Sequence, residues 1–271
     1  MKKLRVLFLG NSHTYFNDLP VVFKNLCAAG QPDVEVEADL MAYPGVTFEW
    51  HLQQSSQLRF ALLHGNYDYM IMQQAAHSPC PSPEQTIKDG KEIIRLAKAN
   101  GVTPILCMPW AERKYPEHQA IMYNTYQTLS KEAGVTHTPT GYVFERVLNE
   151  RPDIDMYFVD GEHCSPYGTY TRALSVYSVI FNASPEGLPA KSIRSVSSTV
   201  EEAKEFLEAN DRYHASGQDP ALMDDLRKAA GNVFKPNWDK DTLWVDLDPE
   251  KAATLQKFVW EAAVANDLPL K

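Results

Sequence analysis

Ser12 follows a short apolar run, Leu4 to Leu9, in a turn opened by Gly10 and Asn11. A serine hydroxyl is a poor nucleophile until a base takes its proton, so acyl-transfer chemistry at this turn demands a histidine held in place by an acid. Far along the chain, Val159-Asp160-Gly161-Glu162-His163-Cys164-Ser165-Pro166 sets a carboxylate and an imidazole in one short loop. That spacing lets Asp160 accept from one ring N–H of His163, orient the ring and stabilise the cation formed when it takes a proton. Each feature also has a plainer reading, with Ser12 capping the helix that follows and Asp160 and His163 stabilising a turn. The chain has no G-x-S-x-G elbow, so an ordinary α/β-hydrolase reading lacks its signature.

The elements around these residues alternate between strands and helices. Leu4 to Leu9 reads as a buried strand, and Pro20 to Ala29 as a helix closed by Gly30. Val34 to Ala42 alternates as a second strand, and Phe48 to Leu63 follows as a helix. Tyr67 to Met72 and Val102 to Met108 are further strands, separated by a helix over Pro83 to Ala99. A helix over Glu117 to Ala133, a weak fifth strand near Val135 to Thr138 and a helix over Gly141 to Asn149 complete the series. Units repeating at roughly thirty residues imply βαβ crossovers and a parallel sheet. Ligands in such sheets sit at the carboxyl ends of the strands. Three features fall there: Gly10-Asn11-Ser12 after the first strand, Tyr43-Pro44-Gly45 after the second, and Gln73-Gln74 after the third. From Pro189 the pattern turns serine-rich, then to charged amphipathic helices over Val200 to Tyr213 and Pro220 to Ala230, with a last helix over Pro249 to Asn266.

Composition narrows the partners. The 271 residues are 44% hydrophobic and 23% charged, which fits a folded globular chain rather than a disordered one. A formal net charge of −9 excludes the basic surface that nucleic acid or an anionic membrane needs. Met1-Lys2-Lys3 before an apolar run resembles the start of a signal peptide, but Arg5 interrupts the run and Gly10 ends it, so the segment reads as a strand. No stretch is long enough to span a membrane. Cys27, Cys80, Cys107 and Cys164 show no C-x-x-C spacing, so reduced thiols and a cytoplasmic location are expected.

Taken together, the Ser12 turn and the Asp-x-x-His loop resemble the SGNH/GDSL hydrolase superfamily, in the branch whose first block reads G-N-S-x-T, here Gly10-Asn11-Ser12-His13-Thr14. The resemblance covers residues 4–188 and resumes from about Asp248. It implies a three-layer α/β/α sandwich around a five-stranded parallel sheet of flavodoxin-like order, with a C-terminal helical elaboration. It also implies Ser12 as nucleophile, Asp160 as orienting acid and His163 as general base. The oxyanion would be held by the N–H of Ser12, the N–H of Gly45 and a side-chain amide from the third block. There the family has G-x-N-D and this chain has Met72-Gln73-Gln74-Ala75-Ala76-His77. A glutamine amide offers the same donor, and Gln73 and Gln74 are both candidates on opposite faces of the strand end.

His13, His77 and Trp110 are expected at the same rim as substrate-binding residues, Trp110 either stacking on a sugar or acyl group or serving as a partly buried aromatic. Their spacing matches no metal motif, so neither metal nor cofactor is expected. The domains are expected as a hydrolase domain over 1–188, a helical insertion over 189–246 forming a lid, pocket wall or interface, and a closing helix over 247–271. The implied activity is hydrolysis of short acyl esters, acetyl above all, of carbohydrates or similar small molecules by a possible homo-oligomer. Alternatives are an acyltransferase on the same scaffold, a non-catalytic carbohydrate- or partner-binding member, and a flavodoxin-like nucleotide binder, whose loop would need more glycines and a lysine.

Overall fold

Residues 1–268 are described by a computed structural model. In chain order, β1 (Lys2–Gly10) leads through the short α1 (Ser12–Tyr15) to α2 (Leu19–Gly30) and β2 (Val34–Ala42). Then come α3 (Phe48–Gln53), α4 (Ser55–His64), β3 (Tyr69–Met72), α5 (Pro83–Ala99) and β4 (Thr103–Leu106). The core closes with α6 (His118–Ala133), α7 (Thr140–Glu150) and α8 (Pro166–Phe181).

The sheet is parallel with strand order β2-β1-β3-β4, the flavodoxin-like sequence of crossovers. β1 is central, and its two faces feed two separate apolar layers. Leu4, Val6 and Phe8 pack with α2, α7 and α8, whereas Leu7 and Leu9 pack with α3, α4, α5 and α6. This is why the run reads as continuously apolar rather than alternating. Strand register brings Gly10 opposite Ala42, Leu9 opposite Met72, and Met72 opposite Leu106. The segments that follow these residues therefore leave the sheet along one edge, and the candidate site lies on that edge.

The sheet has four strands rather than five. The segment expected as the fifth strand makes one parallel bridge, Leu106 to His137, with Leu106 N donating to Thr136 O at 3.0 Å and Thr138 N to Leu106 O at 2.8 Å. Neighbouring backbone groups are committed elsewhere. Val135 N–H donates to Ser130 O, the Val135 carbonyl accepts the Ser130 hydroxyl, and Pro139, which has no N–H to give, follows at once. The expected single helix over Phe48 to Leu63 is likewise broken at Gln54 into α3 and α4.

Beyond α8 the chain forms β5 (Lys191–Ile193), β6 (Val196–Ser197), α9 (Val200–Ala215), α10 (Met223–Val233), β7 (Lys235–Pro236), α11 (Lys240–Leu243), β8 (Trp244–Asp246) and α12 (Pro249–Ala265). The elaboration is thus not purely helical, since β5 pairs with β8 and β6 with β7, both antiparallel. α9 opens with a Thr199–Glu202 capping box and packs on α10 through Ala203, Phe206, Ala209, Ala229 and Val233. α12 returns to the main core through Leu255, Phe258 and Val259. Among the described residues no helix is long and apolar enough to cross a membrane, and all four cysteines are free thiols.

Candidate active site

The turn at Ser12 is set by what surrounds it. A side chain at Gly10 would place its Cβ 2.2 Å from Thr14 Oγ1, so glycine is required for α1 to start so close to β1. The cap of α1 is Asn11 and not Ser12: Asn11 Oδ1 accepts from His13 N at 3.2 Å. The Ser12 hydroxyl is therefore released from capping. Asn11 Nδ2 donates to Val46 O at 3.1 Å, tying the Ser12 turn to the Gly45 turn, and His51 Nε2 lies 2.8 Å from Gly10 O. Burial lowers the His51 pKa, so the neutral ring donates to that carbonyl.

The Asp160–His163 loop is closed by its own backbone. Phe158 N donates to His163 O at 2.7 Å, Gly161 N to Phe158 O at 3.0 Å, and Arg113 N to Gly161 O at 2.8 Å. Gly161 has φ +73°, a left-handed conformation that glycine adopts without steric cost. Asp160 Oδ1 accepts from Glu162 N at 2.9 Å and His163 N at 3.0 Å, while Oδ2 lies 2.6 Å from His163 Nδ1. His163 Nε2 lies 2.8 Å from Ser12 Oγ. Ser12, His163 and Asp160 thus form one hydrogen-bonded chain across 151 residues of sequence separation. The His163 ring stacks on Phe16 at 4.5 Å on one side and on His13 at 4.6 Å on the other, with the Phe234 ring edge-on at 5.8 Å. This clamp leaves the imidazole little freedom to turn away from Ser12.

The two glutamines part company. Gln74 Oε1 accepts from Phe48 N at 2.8 Å and Ala75 N at 3.0 Å, and Gln74 Nε2 donates to Thr86 Oγ1 at 3.4 Å. Its oxygen thus ties the loop to α3 and its nitrogen meets α5. Gln73 Oε1 accepts from Arg172, and Gln73 Nε2 is buried without a partner among the described residues. Of the pair, only Gln73 has an Nε2 that makes no hydrogen bond among the described residues. Gly45 lies exposed in its turn with φ +65°.

Two residues expected to touch substrate lie behind the site instead. Trp110 is 1% exposed because the chain after β4 stays inside the domain. Its ring stacks on Phe144 at 4.5 Å, and its Nε1 donates to Glu162 O at 2.9 Å, fixing the Asp160–His163 loop from beneath. His13 is 3% exposed and backs His163. Burial, followed by the neighbouring His163 and Arg172 charges, holds its pKa well below the ordinary histidine value, so it stays neutral.

His77 lies exposed at the surface. It bridges Glu112 and, at 3.1 Å, Glu162, linking the loops after β3 and β4 to the Asp160–His163 loop. Hydrogen bonds to the two carboxylates raise its pKa to about 10. Because this lies above the unfolded value of 6.5, the bridge contributes fully below pH 6.5 and is lost as pH rises through 10. The melting-temperature gap between wild type and His77→Ala, at most about 2 °C for this half-exposed pair, should therefore be present at pH 6 and vanish above pH 10. His77, Glu112 and Glu162, and separately His13, Glu162 and His163, bring donor atoms within 4.8 Å of one another, as a metal site would. Both His77 nitrogens face carboxylates, and both His163 nitrogens are engaged with Ser12 and Asp160.

Three functional positions carried no clear sequence signal. Asn11 looks like any turn asparagine. Asn17 has φ +51°, which asparagine tolerates better than most residues, and lies buried. Its Nδ2 donates to Cys164 O at 2.9 Å and Thr169 Oγ1 at 3.1 Å, and its N donates to Ser195 Oγ at 2.8 Å. It thereby joins the nucleophile turn, the histidine loop and the C-terminal elaboration. Arg172, on α8, is fully buried, although arginines are mostly exposed.

A cavity of about 640 Å³ is lined by Ser12 and His163. Tyr15 and Phe16 line it too, as do Phe234, Pro236, Trp238 and Leu243 of the C-terminal elaboration.

No protein-family model and no curated protein matches the chain. Solved structures do. A candidate SGNH hydrolase from Slackia heliotrinireducens is 24% identical with a TM-score of 0.57, the match covering 65% of this chain and 97% of that one. The chain has the fold of the SGNH/GDSL hydrolases. An acetyl xylan esterase from Geobacillus stearothermophilus shares this SGNH-type fold at 14% identity and a TM-score of 0.53, over 64% of this chain and 92% of its own. A DUF4886 family protein from Bacteroides uniformis matches at 14% identity and a TM-score of 0.63 over 99% of this chain and 98% of its own, so its likeness extends through the C-terminal elaboration.

Proposed function

We propose that the chain is a serine-dependent carboxylic ester hydrolase, with Ser12 as nucleophile, His163 as general base and acid, and Asp160 as the orienting carboxylate. The observation that carries this reading is the unbroken contact from Ser12 Oγ through both His163 nitrogens to Asp160. Ser12 Oγ attacks the ester carbonyl carbon while His163 Nε2 takes the hydroxyl proton. The tetrahedral oxyanion is met by N–H donors of Ser12, Gly45 and the Gln73 amide. Its collapse breaks the ester C–O bond, the leaving alcohol takes the proton from His163, and the acyl group stays on Ser12. Water, deprotonated by the same His163, then attacks the acyl carbon, the bond to Ser12 Oγ breaks, His163 returns the proton to Ser12 and the acid leaves. The scheme needs no cofactor. Treatment with diisopropyl fluorophosphate tests it: one phosphoryl adduct, mapped to the Ser12 peptide, is expected, and an adduct confined to any other residue counts against the scheme.

The substrate belongs to the same proposal. Short-chain acyl esters of carbohydrates, acetyl esters above all, suit the cavity because the Trp238 ring, 85% exposed at its wall, offers a face on which a sugar can stack. Fold-level analogy with the acetyl xylan esterase points the same way. The segment 189–246 would then serve as a pocket wall. Trp238→Ala should raise KM for an acetylated xylo-oligosaccharide about tenfold more than it raises KM for vinyl acetate, which has no sugar to stack. An equal effect on both esters would remove the sugar-stacking role.

A further inference from the structure

A buried guanidinium is costly unless its charge and its donors are answered. Arg172 is fully buried and makes no ion pair among the described residues. Its neighbours are neutral. One terminal nitrogen donates to the His13 carbonyl, the other to Gln73 Oε1 and, at 3.5 Å, to Cys107 Sγ, and the guanidinium carbon lies 5.2 Å from the Trp110 ring centroid. Its Nε has no hydrogen-bond partner among the described residues. A full positive charge therefore lies beneath the turn that carries Ser12, balanced only by dipoles and an aromatic face.

Gln73 shows the matching deficiency. Arginine has donors and no acceptor, so the Gln73 amide can face it only through Oε1. That fixes the amide's orientation and turns Nε2 away, where it is buried and unpartnered. The Gln73 backbone borders the same turn: its N donates to Leu9 O at 3.0 Å, and its carbonyl lies 3.4 Å from where a Cβ on Gly10 would be. A cation without a counter-charge and an unanswered amide donor, joined by a hydrogen bond, thus border the turn that carries Ser12, and negative charge developing at that turn would answer both.

We propose that Arg172 is a positioning residue for the oxyanion: it locks the Gln73 amide so that Nε2 donates to the oxygen that becomes negative. Its charge, polarising that amide, strengthens the donation. The inference rests on the ester-hydrolase reading. It differs from a merely structural role because the requirement is for a donor at Gln73, not only for a partner to Arg172.

Hydrolysis of p-nitrophenyl acetate by wild type, Gln73→Glu, Arg172→Lys and the double variant separates the two. Gln73→Glu gives Arg172 a carboxylate and so preserves the packing, but it removes the donor. Its kcat should fall about 10²- to 10³-fold with KM within about threefold. Arg172→Lys keeps the charge, yet one ammonium cannot hold both the His13 carbonyl and the Gln73 amide, and kcat should fall at least about tenfold. In the Gln73→Glu background, Arg172→Lys should cost less than about threefold more, because it acts through Gln73. Near-wild-type kcat in Gln73→Glu overturns the inference, as do losses that multiply in the double variant. Should Arg172→Lys not fold, the Gln73→Glu result alone decides. Wild-type turnover that does not depend on Ser12 removes both this inference and the ester-hydrolase reading. Ser12-dependent turnover with either overturning result removes only the inference.

Discussion

His163→Ala is expected to lower kcat for a short activated ester by about 10⁵- to 10⁶-fold. His163 is the one base in contact with Ser12 Oγ, at 2.8 Å, and the histidine beside it does not offer a substitute. His13 stacks on the His163 ring and is held neutral by burial, and it makes no hydrogen bond to Ser12 Oγ among the described residues. The residual rate would come from oxyanion donors and binding alone. Removing the ring leaves a gap between Phe16 and His13, so some stability is lost as well. Steady-state kinetics with p-nitrophenyl acetate, run well below the melting temperature measured for each protein, separates the two effects. A rate within tenfold of wild type would show that the hydroxyl is activated by some other group.

Asp160→Asn is expected to cost about 10⁴-fold in kcat while leaving the loop folded. The reason lies in the two oxygens of Asp160. Oδ1 accepts two backbone N–H groups, from Glu162 and His163, and an asparagine must keep its own oxygen there to avoid facing donors with donors. Its NH₂ then faces His163 Nδ1, where Oδ2 now lies at 2.6 Å. Nδ1 becomes an acceptor, the ring proton moves to Nε2, and the ring presents a donor rather than a base to Ser12. The expected pattern is a large fall in kcat, little change in KM, and an unchanged melting curve. Loss of folding, or a kcat near that of wild type, would contradict this account of Asp160.

Much of this arrangement is legible in the sequence because it is local. The Ser12 turn ends a strand that is apolar on both faces, and Asp160 and His163 share one loop, so short-range patterns suffice to pick them out. The flavodoxin-like order follows from the alternation of strands and helices. What the sequence leaves open depends on long-range packing. Whether Ser12 or Asn11 caps α1 is decided by a hydrogen bond to His13 N. Gln73 and Gln74 look alike until Phe48, Thr86 and Arg172 claim one or the other. Trp110 reads equally as a rim aromatic or as a partly buried one, and its stacking on Phe144 places it inside. Arginines are mostly exposed, so the full burial of Arg172 becomes visible only in the packing of α8. The fifth strand fails because the end of α6 and Pro139 take the backbone that it would need.

The most direct test of the central proposal is hydrolysis of p-nitrophenyl acetate by wild type and by Ser12→Ala, in which only the Oγ that touches His163 is removed. The account predicts saturable turnover by the wild type and a fall of several orders of magnitude, to near the background rate, in the variant. Equal rates in the two proteins would contradict it, because the ester would then be cleaved without the Ser12 hydroxyl.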